Sequence, residues 1–370
     1  MEAQQYIMPL AVAFGVAAVT TPLVRRLALG TGVIDRPSER SVNQRPDIPL
    51  MGGMAIGLGF AAGLTVALRQ MSGEIAEGRL MGLAVGGTIV LASGIWDDRF
   101  GMKAPTKFAL QILAAIVAIS NGYQLAHFTE PFTRTSFLLP GWLMWTVTIL
   151  WIVMITNAIN LVDGLDGLAT GVAAIIAATL AIIAAQHGSD QFGLWIGLAL
   201  VGSLLGFLPF NFAPARIFLG DTGALFIGFV LSLVALEGYR QISLLTFVVP
   251  ILALAVPILD TGLSVVRRIR SHSPIFAADR QHLHHRMLKS EGTARNAVLQ
   301  FYLLTAAFCL LSLGISRLDE PWWVGFCLVI VAILTLRLVS NLGALKSEST
   351  ATQPEDSSVG PTEGAPERKP

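Results

Sequence analysis

Two adjacent aspartates, Asp97 and Asp98, follow an apolar run in an otherwise strongly apolar sequence. Carboxylates this close together either form a solvated cap at a helix end, or raise one pKa and so share a proton or bind a divalent cation. The second interpretation makes the pair a candidate catalytic site, with Asp98 also a candidate metal ligand.

A second group of polar side chains recurs at every third position. On an ideal helix this spacing spreads the side chains over about half of the circumference. Gly164 and Gly167 favour a helix end that runs into a loop. A polar turn between helices is the plainer interpretation, but such a turn does not require two asparagines and two aspartates. The group consists of Asn157, Asn160, Asp163 and Asp166.

Asp221 lies between two glycines, in the segment Gly220-Asp221-Thr222-Gly223. The segment is either a simple turn or a place where the backbone approaches a phosphate closely while the aspartate holds a metal ion. We therefore treat Asp221 as a candidate metal ligand.

Three of the six histidines fall in one short basic segment. Their spacing does not place two imidazoles on one helix face as an i, i+4 pair would, and no cysteine is near, which argues against zinc. A loop that attracts anionic lipid headgroups is one alternative. A set of donors for a phosphate-rich substrate is favoured, and its predicted members are His282, His284, His285 and Arg286.

The elements that must position these residues are membrane helices. The chain has 370 residues, of which 54% are hydrophobic and 13% charged, about half the charged share of an average soluble domain. This composition excludes a single soluble enzyme and a disordered chain. The sequence predicts an all-α polytopic membrane protein with about eleven transmembrane helices of about 20 residues, at about 7–27, 49–68, 79–95, 105–121, 140–158, 167–187, 191–210, 216–236, 243–266, 297–316 and 322–341.

The basic residues orient these helices. Most of the 25 lysines and arginines fall in segments on one side, which the positive-inside rule assigns to the cytoplasm. The N-terminus is then outside, the C-terminus is inside, and the candidate site residues converge on the cytoplasmic face. Residues 1–345 form one transmembrane domain, and residues 346–370 form a disordered cytoplasmic tail. The net charge of +1 argues against nucleic acid as a partner.

The alternative class is a membrane transporter of an anionic solute or a metal. Transporters usually place ionisable residues near the bilayer midplane, on broken helices, whereas these carboxylates are predicted at the inner ends of the spans. A structural scaffold would not need so many acidic groups at one face.

In the order and spacing of its motifs, the sequence resembles the bacterial polyprenyl-phosphate N-acetylhexosamine-1-phosphate transferases. The form His-Leu-His-His-Arg is similar to the N-acetylglucosamine branch of that family. One loop departs from the family pattern, because Arg40-Ser41-Val42-Asn43 stands where a basic residue and then a histidine are usual. The matching segments are Asp35-Arg36-Pro37, Ile48-Pro49 with Gly52-Gly53, Asp97-Asp98, Asn157 to Gly167, Asn211 with Pro214, Phe218 to Gly223, Asp260-Thr261 and His282 to Arg286.

The resemblance implies a reaction at the bacterial inner membrane that begins a cell-envelope glycan. Undecaprenyl phosphate and a UDP-N-acetylhexosamine, by default UDP-N-acetylglucosamine, give the undecaprenyl-diphosphate sugar and UMP. Because two anions must approach each other, the reaction calls for a divalent cation, Mg²⁺ or alternatively Mn²⁺. Direct attack and a covalent aspartyl intermediate are both open, as is a homo-oligomer.

The resemblance also implies roles for the candidate residues. Asp221 would be the principal metal ligand. Asp97 and Asp98 would deprotonate the lipid phosphate or support the metal, in either order, and Asp163 and Asp166 complete the predicted catalytic set. Nucleotide and sugar would be positioned by Asn160, Asp163, Asp166 and Asn211, with Asn157 as a further substrate-binding residue.

Overall fold

The structure, a computed structural model, describes residues 3–35, 47–71, 77–129, 135–187, 191–237, 244–270 and 293–317, and the single positions 322, 325 and 329. Within these ranges the chain is predominantly helical, as the sequence predicts. The helices are α1 (Ala3–Thr31), α2 (Gly53–Gln70), α3 (Glu77–Phe100), α4 (Ala104–Ser120), α5 (Gly141–Val162), α6 (Leu168–His187), α7 (Phe192–Asn211), α8 (Gly220–Glu237), α9 (Leu244–Ala253), α10 (Ala255–Arg270) and α11 (Ala294–Ile315), and the strands are β1 (Ile34–Asp35), β2 (Ile48–Pro49), β3 (His127–Thr129) and β4 (Ser136–Leu138).

Eight helices within the described ranges are long and apolar enough to cross a membrane, namely α1, α2, α3, α5, α6, α7, α8 and α11. This confirms the prediction of an all-α polytopic membrane protein. At the predicted span 105–121, α4 is a shorter apolar helix of 17 residues. The predicted span 322–341 and the tail at 346–370 lie almost entirely outside the described residues. The number of spans and their orientation stay predictions.

The span predicted at about 243–266 is two helices, α9 and α10, which meet at the turn residue Leu254. Pro257 has no N–H with which to bond the carbonyl of Ala253. The Cys309 thiol of α11 lies 3.7 Å from that carbonyl oxygen instead, and the hydroxyl of Ser312, also on α11, donates to a carbonyl of α9 at 2.8 Å. Polar atoms of α11 therefore cover the break between the two helices.

The helix α8 lies at the centre of the bundle, packed against α2, α3, α5, α6 and α7. Every residue from Thr222 to Glu237 is buried, and a helix that is apolar on all sides is expected to be surrounded by others. Its two acidic residues, Asp221 and Glu237, stand at its opposite ends. The helices around α8 therefore decide which groups face each of these carboxylates.

The segment of residues 212–219, which leads into α8, is held by the backbone of β2 and of the start of α2. The Phe218 N–H donates to the Pro49 carbonyl at 2.9 Å. The N–H groups of Gly52 and Gly53 donate to carbonyls of the segment at 3.1 Å each. Strand β2 is itself paired antiparallel with β1, just after α1. The short motifs around Pro49 and Gly52 therefore fix the chain where α8 begins.

Candidate active site

Three charged side chains from three helices meet at one end of the bundle. Asp97 lies near the end of α3, Lys107 in the first turn of α4 and Asp221 in the first turn of α8. The Nζ atom of Lys107 is 2.5 Å from Oδ2 of Asp97 and 2.7 Å from Oδ2 of Asp221. One ammonium group thus bridges two carboxylates that would otherwise repel each other.

Lys107 is not among the site residues predicted from the sequence, where it counts only as one of the basic residues that orient the spans. A signal was available, because Lys107 and Gln111 are polar residues one helical turn apart inside an apolar stretch and so share a face. Gln111 is 1% exposed. Its amide pairs with that of Asn157 on α5, with N–O distances of 2.5 and 3.4 Å.

The polar residues of α5 face the same cluster. The Asn160 amide donates a hydrogen bond to Oδ1 of Asp221, so both oxygens of that carboxylate have partners. The helix ends at Val162 and α6 begins at Leu168. This confirms that the polar repeat is a helix end running into a loop, as the glycines at 164 and 167 predict.

Asp98 has a different set of partners from Asp97. Its Oδ1 accepts from the Asp221 N–H at 2.8 Å, and its Oδ2 accepts from the Thr222 hydroxyl at 2.6 Å and the Thr222 N–H at 3.2 Å. Gly220 has φ +70°, and a Cβ there would lie 2.4 Å from Oδ2 of Asp98. Asp98 therefore caps the first turn of α8, whose N–H groups have no partners within the helix.

Asp163 follows the last residue of α5 and lies in the loop between α5 and α6. Burial raises the pKa of its carboxyl group well above the ordinary value for an aspartate, and the negative charges of Asp221, Asp98 and Asp166 raise it further. Burial and neighbouring like charges both penalise the ionised form. The charge of Asp163 is therefore coupled to the charges of the acidic cluster, and a bound cation would make its ionisation less costly.

Asp166 and Asn211 are both buried and both bond to the 212–219 segment. Oδ2 of Asp166 accepts from the Ala215 N–H at 2.9 Å. Asn211 donates to the Ile217 carbonyl at 3.1 Å and accepts from the hydroxyl of Thr170 at 2.7 Å. The two residues fix the segment from which α8 starts, and their contact with nucleotide or sugar stays a prediction.

The helix α11 contacts both the loop between α5 and α6 and the 212–219 segment, and the sequence does not predict these contacts. The Tyr302 hydroxyl donates to the Gly167 carbonyl at 2.6 Å. The guanidinium of Arg295 lies 5.9 Å from the centroid of the Phe212 ring. The remaining predicted substrate-binding residues, His282, His284, His285 and Arg286, lie outside the described residues.

The acidic cluster fits a magnesium ion that is bound together with substrate. In the part of the chain that the structure describes, no three His, Cys, Asp or Glu side chains converge closely enough to hold a metal ion by themselves. Mg²⁺ is usually held by one or two carboxylates, with substrate phosphates and water completing its octahedron. The Lys107 ammonium marks a common cation position for Asp97 and Asp221, whereas both oxygens of Asp98 are engaged by α8.

Comparison with known proteins agrees with the motifs. Residues 80–239 match the profile of glycosyl transferase family 4. The chain is 38% identical over 342 residues to the probable undecaprenyl-phosphate N-acetylglucosaminyl 1-phosphate transferase of Bacillus subtilis (strain 168), with 91% of this chain and 93% of that protein covered. It is 35% identical over 306 residues to the decaprenyl-phosphate N-acetylglucosaminephosphotransferase of Mycolicibacterium smegmatis, with 76% and 75% covered. It is 41% identical over 160 residues to the phospho-N-acetylmuramoyl-pentapeptide-transferase of Limosilactobacillus fermentum, with 41% and 49% covered.

The membrane helices, the acidic cluster at their ends and these matches define a multi-pass membrane transferase. The chain belongs to the polyprenyl-phosphate N-acetylhexosamine-1-phosphate transferase family and is an enzyme of that type. Membership in this family favours an enzyme over the two alternative classes, a membrane transporter and a structural scaffold.

Proposed function

We propose that this enzyme transfers N-acetylglucosamine-1-phosphate from UDP-N-acetylglucosamine to undecaprenyl phosphate, at the cytoplasmic face of the bacterial inner membrane. The observation that carries the proposal is the Lys107 bridge between Asp97 and Asp221 at the ends of membrane helices. A cation position there lies within reach of a phosphate anchored in the bilayer and of a nucleotide from solution. The names of the relatives support the acceptor and the sugar, and the distribution of basic residues supports the cytoplasmic face.

The reaction is a displacement at phosphorus. An oxygen of the lipid phosphate forms a bond to the phosphorus that carries the sugar, and the bond from this phosphorus to the bridging oxygen breaks. UMP leaves with the bridging oxygen and its electron pair. Held at Asp221, Mg²⁺ or Mn²⁺ would supply the positive charge that offsets the repulsion of the two phosphates, and Asp97 is left for the proton.

Lys107 contributes a second positive charge that can change partners. In the described structure its ammonium bonds to both carboxylates and offsets one of their two negative charges. When the substrate phosphates and their counter-ion enter, the ammonium exchanges a carboxylate oxygen for a phosphate oxygen over a short distance. This keeps a cation beside the phosphates without removing the carboxylates from the site.

Asp97 is the carboxylate that we assign to accepting a proton from the lipid phosphate. Both oxygens of Asp98 already accept hydrogen bonds from the first turn of α8, so Asp98 is the poorer base. Asn160 orients Asp221 through its amide. The product is the first lipid-linked intermediate of a cell-envelope glycan.

The test uses purified protein in detergent with undecaprenyl phosphate, Mg²⁺ and UDP-N-acetylglucosamine labelled in the sugar. We expect label in the extracted lipid, equimolar UMP, and loss of both on chelation of the metal. Asp221→Asn should lower the rate by roughly 100-fold or more, because it removes a charge that acts on the developing diphosphate. The matched control is Asp47→Asn, the same change at an exposed aspartate with φ +64°, a conformation that asparagine also adopts readily.

Three results would contradict parts of this proposal. Release of UDP instead of UMP would mean that the sugar is transferred without its phosphate. Labelled lipid only with another UDP-N-acetylhexosamine would overturn the choice of sugar. A rate for Asp221→Asn equal to that of Asp47→Asn would remove Asp221 from the metal site.

A further inference from the structure

A second charged pair is buried at the end of the bundle opposite the acidic cluster. Nη1 of Arg79 lies 2.6 Å from Oε2 of Glu237, and the two side chains are only 4% and 2% exposed. Arg79 is in the first turn of α3, and Glu237 is the last residue of α8. The acidic cluster is about 24–28 Å away along these helices, at 1.5 Å per residue. Neither residue takes part in the proposed reaction.

The start of α7 closes this pair off. The Arg79 guanidinium lies 5.2 Å from the centroid of the Phe192 ring, and a Cβ on Gly193 would lie 2.7 Å from the Cβ of Glu237. Removing both charges from water is costly, so apolar residues of similar size are often equally or more stable than a buried ion pair. A gain in stability is therefore a weak explanation for the presence of a buried ion pair between Arg79 and Glu237.

The pair joins the same two helices that carry the acidic cluster. Helices α3 and α8 run antiparallel, because the end of α3 contacts the start of α8 through Asp98, and the start of α3 contacts the end of α8 through Arg79. At the cluster end Gly94 lies against the backbone of Thr222, where an added Cβ would come within 2.4 Å of Cα. Small residues allow such close approach, whereas a directional ion pair also fixes how far one helix lies along the other.

In the proposed function, the Lys107 ammonium at the cluster end changes partners when charged substrates arrive. The ion pair at the far end is buried, and it lies about 24–28 Å from the cluster along the helices. We propose that Arg79 and Glu237 are positioning residues, whose ion pair fixes the axial register of α3 against α8 and thereby the placement of Asp97 relative to Asp221. The kinetic part of this proposal rests on the proposed function, and the structural part does not.

The first test replaces the pair by apolar residues, in Arg79→Met/Glu237→Met. We expect a folded protein whose melting temperature is equal or higher, since the cost of burying two charges is gone. We expect kcat to fall by about tenfold or more with little change in KM for the nucleotide, because a misplacement of about 1 Å is enough for such a loss. Arg79→Lys, which keeps the charge, should recover part of kcat.

The second measurement reports the register without any substrate. Spin labels are placed on Arg99→Cys, at the end of α3, and on Arg216→Cys, in the 212–219 segment, both at exposed positions, after both native cysteines are changed to serine. The distance distribution between the labels should shift or broaden in the apolar double variant. Ser232→Ala is the matched control, because Ser232 is buried on α8 and its hydroxyl donates to the Phe229 carbonyl of its own helix at 2.6 Å. The substitution keeps the Ser232 backbone carbonyl, which accepts from the Trp151 indole at 3.1 Å.

The proposal is overturned if the folded double variant keeps kcat within about twofold of wild type. If kcat falls but the distance distribution is unchanged, the claim that the ion pair fixes the register of α3 against α8 is overturned. If the double variant does not fold, the same measurements of kcat and of the label distances are made on Glu237→Asp. This variant keeps both charges and shortens the acid by one methylene. Wild-type kcat and distances in Glu237→Asp would show that the length of the pair does not set the register.

Discussion

Asp97 and Asp98 are neighbours in sequence, yet they bond to different partners. Asp97 bonds to the Lys107 ammonium, and Asp98 accepts hydrogen bonds from the first turn of α8. Successive residues of a helix point about 100° apart, so two adjacent side chains do not readily face one ligand. One carboxylate is therefore available to reactants, while the other holds the helix that carries Asp221.

This difference predicts distinct effects for the same substitution at the two positions. Asp98→Asn should lower the free energy of unfolding by about 1–3 kcal/mol, because the asparagine brings an amide donor towards the donors of Thr222, and it should lower turnover as well. Asp97→Asn should lower turnover with little change in stability, since Lys107 keeps Asp221 as its partner. Thermal unfolding without substrate and initial rates at saturating Mg²⁺ check both variants. An equal loss of stability in the two would contradict the assignment.

At the residue scale the sequence predicted the members of the cluster better than their partners. Asp97, Asp98, Asp163 and Asp221 could be found because charged residues in an apolar chain are few and costly. Which oxygen meets which donor depends on how α3, α4 and α8 pack, and that information is spread along the chain. Lys107 was missed because its charge also suits a membrane loop, so its position alone did not mark it as a site residue.

At the scale of elements, the site is assembled where helices begin and end. Helices α3 and α5 end there, and α4 and α8 begin there. The terminal N–H groups of a helix lack partners within it. Here Asp98 accepts from the first turn of α8, and carbonyls of the 212–219 segment accept from Gly52 and Gly53 at the start of α2. The helix end near Gly164 was predictable from local residues. The break at Leu254 has a local signal in Pro257, but the groups that cover it could not be predicted, because they come from α11, which is distant in sequence.

The hydrogen bond from Thr170 on α6 to Asn211 on α7 allows a test of whether side-chain bonds between elements support the site. Thr170→Val keeps the shape of the side chain but leaves the buried Asn211 oxygen without its donor, at a cost of about 1–3 kcal/mol. We expect a lower melting temperature and a higher KM for the nucleotide, since the 212–219 segment loses a support. Thr21→Val on α1 is the matched control, because Thr21 is also buried and its hydroxyl donates to the Ala17 carbonyl of its own helix at 2.6 Å. The same fall in melting temperature and the same rise in KM in both variants would contradict a role for the Thr170–Asn211 hydrogen bond.

At the scale of the whole molecule, the central position of α8 and the acidic cluster at one end of the bundle give the protein two chemically different ends. The sequence predicts which end faces the cytoplasm from its basic residues. The packing of helices is the same for either orientation, so the fold does not decide between them. The fold does not decide the number of spans either, because that number depends on helix length and on residues outside the described ranges.

Labelling of single cysteines in intact cells tests the orientation. Lys103 directly precedes α4, and Phe137 lies in β4, within the connection from α4 to α5, and both positions are exposed. With both native cysteines changed to serine, a membrane-impermeant maleimide should label Phe137→Cys in intact spheroplasts. Lys103→Cys should be labelled only after the membrane is permeabilised, because it lies on the predicted cytoplasmic side. The reverse pattern would place the acidic cluster on the outer face.

The partners of the 212–219 segment are synthesised at very different times. Arg25 of α1 donates to the Arg216 carbonyl at 3.0 Å, and Pro49 and Asp166 add further bonds. All three precede the segment in the chain, so these bonds form only after the segment has been made. The catalytic centre is therefore completed late in translation, and a partly made chain holds no competent site with which to capture nucleotide or trap the lipid carrier.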